Sequence, residues 1–195
     1  MGRRQDVIES VARAVSALPT TRVLRVAVDG VDGFHNPRAV RYVKGRSSPV
    51  GFFEDSYDYA TLEAVLLGPL RPGGSRRYRV AAFDHRTDRV VETPVEVAAP
   101  GDILIFDGIF LHRPELRAHW DYSVFLEVRF AVSVARMAER DASSPDPDAP
   151  SNRRYVVGQE IYLARCEPWR WASVVINNDD LDSPYIVEPA REVTS

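Results

Sequence analysis

Two kinds of hydrophobic pattern alternate along this chain. Apolar residues recur at helical spacing in four segments, residues 5–18, 59–67, 131–141 and 153–165. Between them lie continuous apolar runs at residues 23–28, 78–84, 103–108, 122–128 and 173–177. Such runs, without polar alternation, are typical of strands covered on both faces, as in a parallel sheet. Strands that alternate with helices predict an α/β fold with an open, mostly parallel sheet.

Turn-forming residues separate these segments. Residues 85–88 predict a turn after the second strand, and residues 90–97 are interpreted as a hairpin return. The Ser/Pro/Asp-rich segment 142–152 has no apolar anchor, so it is either a mobile lid or an ordinary surface loop. With no internal repeat, residues 1–195 are interpreted as one domain.

Composition narrows the functional classes. The chain has 195 residues, 45% of them hydrophobic and 27% charged, which is typical of a globular protein. A net charge of -3 disfavours a nucleic-acid-coating surface. One cysteine excludes an internal disulfide, and no apolar run is long enough to span a membrane. We therefore expect a cytoplasmic protein that acts without nucleic acid or membrane.

Polar groups follow four of the predicted strands. They are Asp29 and Asp32, Asp84, Asp107, and Asn177 with Asp179. An aspartate in such a place is often only a turn former or a helix cap. If the strands are parallel, however, these groups converge at one edge of the sheet. There they could hold Mg²⁺ or accept a proton from an attacking hydroxyl.

Arginines flank the 142–152 loop on both sides. Arg136 and Arg140 precede the loop, and Arg153 and Arg154 follow it. Such arginines could clamp phosphate groups, or they could simply form a solvated helix face. The four histidines show no metal-binding spacing, and neither Cys166 nor any serine lies in a nucleophile motif.

Several segments, in this order and spacing, resemble the uridine kinase-like branch of the P-loop nucleoside kinases. They are VDGFHNPR (31–38), DSYDY (55–59), YRVAAFDHRTD (78–88), ILIFDGIFL (103–111), FLEVRFAVSVARMAERD (125–141) and RRYVVGQEIYL (153–163). The resemblance covers most of the chain from about residue 23 to residue 180. It implies a three-layer fold and the Mg²⁺-dependent transfer of the γ-phosphate of ATP to the 5′-hydroxyl of uridine or cytidine.

The same resemblance implies roles for particular residues. Asp32 matches the acid that orients or deprotonates the attacking hydroxyl, and Asp107 matches the acid associated with Mg²⁺. On the substrate side, Asp55 matches an acid that holds the sugar. Phe83 lies where an aromatic ring stacks near the base, and Gln159 matches a substrate-side glutamine. Arg136 and Arg140 match the region that supplies the phosphate-binding lid arginines.

One large part of the family pattern is absent. Such kinases carry a GxxxxGK[ST] loop and its helix before the DGFH segment, whereas here Val28-Asp29-Gly30 runs directly into Val31-Asp32-Gly33. A strand–loop–helix–strand passage needs about thirty residues. No other position supplies the motif, because Lys44 is the only lysine of the chain.

This departure has consequences for both activity and fold. Losing four hydrogen bonds to charged phosphate oxygens would cost about 6 kcal/mol, roughly four decades in affinity. We therefore expect feeble ATP use. We also expect a sheet short of one strand and one face short of a helix, with lower stability or homo-oligomerisation through the exposed patch.

Three hypotheses remain open at this point. The chain is a uridine kinase-like enzyme with impaired transfer, or a non-catalytic remnant that binds a nucleoside or a protein. Alternatively, it is an incomplete gene model or an engineered deletion of an active kinase. The acceptor could also be another small alcohol, since related folds phosphorylate pantothenate and phosphoribulose.

Overall fold

A computed structural model describes residues 3–18, 21–28 and 33–188. Its helices are α1 (Arg3–Ser16), α2 (Arg38–Arg41), α3 (Pro49–Asp55), α4 (Tyr59–Leu62), α5 (Gly68–Leu70), α6 (Phe130–Asp141), α7 (Arg153–Cys166) and α8 (Pro168–Trp171). A π-helical turn, Glu63–Leu67, joins α4 to α5, and a 3₁₀ turn spans Arg117–His119. The strands are β1 (Leu24–Val28), β2 (Arg77–Tyr78), β3 (Phe83–Asp84), β4 (Arg89–Val90), β5 (Glu96–Val97), β6 (Ile103–Asp107), β7 (Tyr122–Glu127), β8 (Val174–Asn177) and β9 (Tyr185–Glu188).

The central sheet has the strand order β6-β1-β7-β8-β9. Strands β6, β1, β7 and β8 run parallel, and β9 pairs antiparallel with β8 at one edge. The predicted α/β class and mostly parallel sheet are therefore confirmed. Strand β1 lies between β6 and β7, and its residues 24–27 are buried, with Ala27 fully covered.

Helices cover the two faces of this sheet and make three layers. On one face α1 packs Val7 and Val11 against a cluster that includes Val26, Val124 and Val174. On the other face the Glu63–Leu67 turn packs against β1 and β6, while α3 and α7 pack under β7 and β8. The apolar stripes at helical spacing are what each helix buries against the sheet.

Close contact between α3 and α7 depends on a glycine. A Cβ atom added at Gly158 would lie 2.5 Å from the ring of Phe52 and 3.2 Å from the carbonyl oxygen of Pro49. No side chain fits at that distance, so glycine lets α7 lie directly on α3. This packing fixes α3, which ends at Asp55, against the body of the domain.

The interpretation of residues 78–84 as a strand of the main sheet is wrong. Only its ends pair, Tyr78 with β5 and Phe83–Asp84 with β4, in two separate two-stranded sheets. The Asp84 carboxylate explains the second hairpin, since it accepts hydrogen bonds from the Arg86 N–H (2.9 Å) and the Thr87 hydroxyl (2.8 Å). The predicted turn at 85–88 is confirmed, and Asp84 acts as its turn former.

Strand β6 lies at an open edge of the sheet and is not covered on both faces, contrary to the expectation from its continuous apolar run. Leu104 and Phe106 face the core, but Ile103 and Ile105 are 48% and 69% exposed. Among the described residues, β1 is the one strand that pairs with β6. The expectation that the sheet lacks one strand and one helix stays a prediction.

Candidate functional site

The parallel strands end together at one edge of the sheet. Val28 pairs with Asp107, and Glu127 pairs with Asn177, so these four residues mark the carboxyl-terminal edge. Asp107 is exposed there. Asp29 and Asp32 lie outside the described residues. Asp84 is excluded from this edge because it belongs to the β3–β4 hairpin, where hydrogen bonds from Thr87 and the Arg86 backbone lower the pKa of its carboxyl group.

Three separate chain segments meet beside this edge. The carbonyl oxygen of Gly33 accepts hydrogen bonds from the N–H groups of Ala82 (3.0 Å) and Phe83 (3.2 Å). The Asn36 amide donates to the carbonyl oxygens of Asp55 (3.1 Å) and Tyr57 (2.9 Å). Segments 33–36, 55–57 and 82–85 are therefore tied together by their backbones. They carry Asp55 and Phe83, and Gly33 directly follows Asp32 in the sequence.

Aromatic rings occupy the space where these segments meet. The His35 ring centroid lies 4.6 Å from that of Tyr57 and 4.8 Å from that of His85. We call these three residues the histidine cluster. Next to it, Phe34 is buried against Phe106, with 6.4 Å between ring centroids, so the cluster is anchored beside the end of β6.

Asp55 is held by the chain's only lysine. Lys44 Nζ lies 2.8 Å from Oδ1 and 2.7 Å from Oδ2 of Asp55, and 3.0 Å from Oε2 of Glu54. Its hydrogen bonds with Asp55 and then Glu54 raise the pKa of Lys44. The Asp55 side chain is 16% exposed, so its oxygens remain at the surface of the site. Phe83, by contrast, is only 6% exposed, with its backbone opposite Val90 in the hairpin.

The two arginines predicted to bind phosphate have different surroundings. Arg136 donates from both terminal nitrogens to main-chain carbonyls after β8, those of Asn178 (2.9 Å) and Asp179 (2.7 Å). Arg140, one turn later on α6, is exposed. Gln159 lies half-buried on α7, beside Gly158 at the contact with α3.

The 142–152 loop has a polar anchor where the sequence shows no apolar one. Asn152 is 1% exposed, and its side-chain amide donates to the carbonyl oxygens of Ser144 (2.8 Å) and Asp146 (2.7 Å). These bonds fold the loop back on the start of α7. Whether it closes over a ligand stays a prediction.

A basic pocket that the sequence analysis did not predict opens next to the histidine cluster. It has a volume of about 430 Å³ and is lined by Arg38, Arg41, Tyr42, Arg46, His85 and Arg86. We call it the arginine pocket. The signal in the sequence was the stretch 38–48, which contains Arg38, Arg41, Lys44 and Arg46 and no acidic residue. The contribution of Arg86 had no such signal, because it comes from the distant β3–β4 turn.

Two cationic side chains of the candidate site are paired with protein oxygens. Within the described ranges there is no group of three or more His, Cys, Asp or Glu side chains that could hold a metal ion. Lys44 is engaged by two carboxylates, and Arg136 is engaged by two carbonyl groups. The Lys44 ammonium would have to exchange its carboxylate partners to contact a phosphate, whereas Arg136 keeps further N–H donors.

In the part of the chain that is described, no helix is long and apolar enough to cross a membrane.

Comparisons with known proteins agree with the architecture. No protein-family model and no curated protein matches the sequence. Among solved structures, a possible uridine kinase from Bacillus stearothermophilus matches with a TM-score of 0.64 and 20% identity, over 88% of this chain and 97% of that one. A phosphoribulokinase from Rhodobacter spheroides matches with a TM-score of 0.48 and 14% identity, over 91% of this chain and 67% of that one. The first of these likenesses shows that the chain has the three-layer α/β fold of the uridine kinase-like P-loop kinases.

Proposed function

We propose that this protein binds a nucleoside, uridine or cytidine, at the histidine cluster and that its ATP-dependent transfer of phosphate to the 5′-hydroxyl is feeble. The observation that carries this proposal is the convergence of segments 33–36, 55–57 and 82–85 beside the carboxyl-terminal edge of the sheet. Ligands of open α/β sheets bind at that edge. The possible uridine kinase with the same fold supports the choice of nucleoside.

Each substrate-side residue has a proposed role. Asp55 would accept hydrogen bonds from the sugar hydroxyl groups, and Phe83 would contribute apolar surface near the base. Gln159 would contact the substrate from α7. Asp32, which lies outside the described residues, would orient the attacking hydroxyl, and Asp107 would be the acid nearest to a metal-bound phosphate.

Transfer would be feeble because the chain would bind the phosphate groups of ATP weakly. The chain has no GxxxxGK[ST] motif, and its one lysine is paired with Asp55 and Glu54. A phosphate-binding loop normally supplies several backbone N–H groups together with a lysine. Arg136 and Arg140 remain the proposed lid arginines. Arg140 is exposed, whereas both terminal nitrogens of Arg136 already donate to carbonyl groups.

The test combines calorimetry with a phosphoryl-transfer assay. Uridine should bind to the chain, while formation of uridine monophosphate from ATP should be near background. A version with a GxxxxGK[ST] loop and its helix inserted between Gly30 and Val31 should gain transfer activity. If neither version binds uridine or cytidine, the proposal is wrong. Full activity of the original chain would contradict the feeble-transfer half of it.

A non-catalytic nucleoside-binding protein is the second candidate, and the Lys44 pairing favours it. The two candidates differ in one readout: uridine binding with no ATP binding and no turnover indicates the non-catalytic protein. Sequencing the locus across the codons for Gly30 to Phe34 tests whether the chain is an incomplete gene model. An uninterrupted reading frame that matches this chain rejects that alternative.

A further inference from the structure

We propose that the arginine pocket binds the phosphate group of a phosphomonoester, so that the protein binds a phosphorylated sugar or a nucleotide more tightly than a neutral nucleoside. The proposal rests on the proposed function for the position of the ligand's sugar. The anion site itself follows from the charges and contacts of the pocket alone.

The pocket concentrates positive charge with little compensation. Four guanidinium groups line it, those of Arg38, Arg41, Arg46 and Arg86. Within the described residues, Asp88 is the one carboxylate that pairs with any of them, through a 3.6 Å contact with Arg41. The same Oδ1 atom of Asp88 accepts a hydrogen bond from the backbone N–H of Arg38 (2.9 Å). Guanidinium groups gathered in this way attract a multiply charged oxyanion, and phosphate matches their donor geometry.

One of the four arginines is buried and incompletely bonded. Arg41 is 9% exposed, and its Nε atom has no hydrogen-bond partner although it is shielded from solvent. A buried donor without a partner costs free energy, so such a group in a folded protein calls for an explanation. Arg41 therefore brings to the pocket a guanidinium group whose hydrogen bonds within the protein are incomplete.

The arginines are held in place by contacts that leave their charge available. The Tyr42 ring lies 5.3 Å from the Arg41 guanidinium carbon, 5.5 Å from that of Arg46 and 5.1 Å from that of Arg154. Arg154 also donates a hydrogen bond to the Arg46 carbonyl oxygen. Arg38 donates to the carbonyl oxygen of Arg86 (3.2 Å), which ties α2 to the β3–β4 turn. Contacts with rings and carbonyl groups orient the guanidinium groups without neutralising them.

The pocket is continuous with the histidine cluster. His85 lines the pocket, and its ring lies 4.8 Å from that of His35. A volume of about 430 Å³ accommodates a phosphate group with part of a sugar. A ligand can therefore place its phosphate among the arginines and its sugar over the cluster, near Asp55.

The small extent of the basic surface and the negative net charge of the chain favour a small ligand over a nucleic acid. The basic groups lie around one pocket, and the chain as a whole carries a net charge of -3. Nucleic-acid surfaces usually present a basic stripe that follows the phosphate backbone. The proposal therefore commits to a phosphomonoester, and an oligonucleotide is an arm of the test.

The experiment measures binding by calorimetry for five probes: uridine, uridine monophosphate, ribose 5-phosphate, inorganic phosphate and a short oligouridylate. The Arg46→Gln/Arg86→Gln variant removes two exposed guanidinium groups and leaves the backbone contacts of both residues. Arg89→Gln is the matched control, since Arg89 lies on the same hairpin but does not line the pocket. Circular dichroism and urea unfolding establish that all three proteins are folded.

We expect the phosphomonoesters to bind at least about tenfold more tightly than uridine, with an affinity that falls as salt increases. The double variant should lose about tenfold or more of the phosphomonoester affinity, while Arg89→Gln keeps it. Equal affinity for uridine and uridine monophosphate overturns the proposal and leaves the proposed function intact. Equal losses in the two variants, or much tighter binding of the oligonucleotide, also overturn it. Binding of inorganic phosphate that only the double variant loses supports the anion site, even if uridine itself does not bind.

Discussion

Both carboxylate oxygens of Asp55 lie within hydrogen-bonding distance of Lys44 Nζ, at 2.8 and 2.7 Å. Lys44 is the only lysine in the chain, and its Nζ atom also lies 3.0 Å from Oε2 of Glu54. The one lysine that could serve a nucleotide phosphate is therefore part of the proposed sugar-binding side of the site. We therefore expect a substitution of Asp55 to change the affinity for uridine and a substitution of Lys44 to leave the affinity for ATP unchanged.

Asp55→Asn should weaken uridine binding by about tenfold or more. Asparagine keeps the shape of the side chain but replaces a charged acceptor, and hydrogen bonds to charged groups are the stronger ones. Calorimetry with uridine measures the effect. Asp58→Asn is the matched control, because Asp58 lies in the same segment and caps α4, a position that asparagine fills equally well. Equal affinities of the two variants would show that Asp55 does not contact the ligand.

Lys44→Met should leave any residual ATP affinity unchanged to within about twofold, because the Lys44 ammonium is already paired with Asp55 and Glu54 and would have to leave both to reach a phosphate. Titration of ATP into the parent and the variant checks this expectation. A clear loss of ATP affinity would mean that the lysine changes partners when a nucleotide binds.

Arg136→Gln should destabilise the fold by about 1–3 kcal/mol, since it removes two hydrogen bonds from a charged donor to the carbonyls of Asn178 and Asp179. Arg140→Gln should change stability by less than about 0.5 kcal/mol, as expected for an exposed helix position. Urea unfolding at pH 7.5 measures both. If Arg140→Gln also weakens phosphate binding, Arg140 acts as a lid arginine. Equal destabilisation by both variants would show that the two hydrogen bonds of Arg136 do not stabilise the fold.

His112 makes the stability of the protein dependent on pH. Its ring is 3% exposed, it packs edge-on against Phe125, and its Nε2 atom has no hydrogen-bond partner. Burial lowers the pKa of His112 from 6.5 to about 4. The unfolded chain therefore binds the proton more readily, so the contribution is complete above pH 6.5 and is lost as the pH falls toward 4.

The loss attributable to His112 between pH 7.5 and pH 5 is about 2 kcal/mol. His112→Gln cannot take up the proton, so its free energy of unfolding should fall less over the same interval, by about that difference. Urea titrations of the parent and the variant at the two pH values measure it. Parallel pH dependences would mean that the buried ring accepts its proton without cost.

The hydrophobic pattern predicted most of the regular elements, because each helix buries a stripe of apolar residues and each strand buries a continuous apolar run. The helix expected at 5–18 is observed at Arg3–Ser16, and the strand expected at 122–128 is observed at Tyr122–Glu127. The run at 78–84 was misleading because its two ends pair in separate two-stranded sheets and do not extend the central sheet. Hydrophobicity alone does not distinguish the two arrangements. Helix α3 was missed since its seven residues are too few to show a period.

The site was predictable only where it follows from strand ends. Asp107 stands at the end of β6, as its sequence pattern indicates. The arginine pocket was not predictable, because Arg86 joins Arg38 through a tertiary hydrogen bond between residues far apart in the chain. The pairing of Lys44 with Asp55 likewise depends on how α3 is oriented, which no local pattern encodes.

The open edge at β6 leads to a prediction about association. Ile103 and Ile105 are 48% and 69% exposed on a strand whose outer edge has no described partner. Unpaired backbone groups beside exposed apolar side chains favour pairing with another strand. We therefore expect two copies of the chain to pair through β6 and form a dimer whose population rises with concentration.

Ile105→Lys places a charge on each side of that contact and should shift the protein toward monomer. Val90→Lys is the matched control, because Val90 is 77% exposed on the β3–β4 hairpin, in a different sheet. Sedimentation velocity measures the oligomeric state of the parent chain and of both variants. The protein concentration should span roughly a hundredfold range, because the population of a weak dimer depends on concentration. A parent chain that stays monomeric at every concentration would show that no such dimer forms. A dimer that both substitutions weaken equally would show that the contact does not lie at β6.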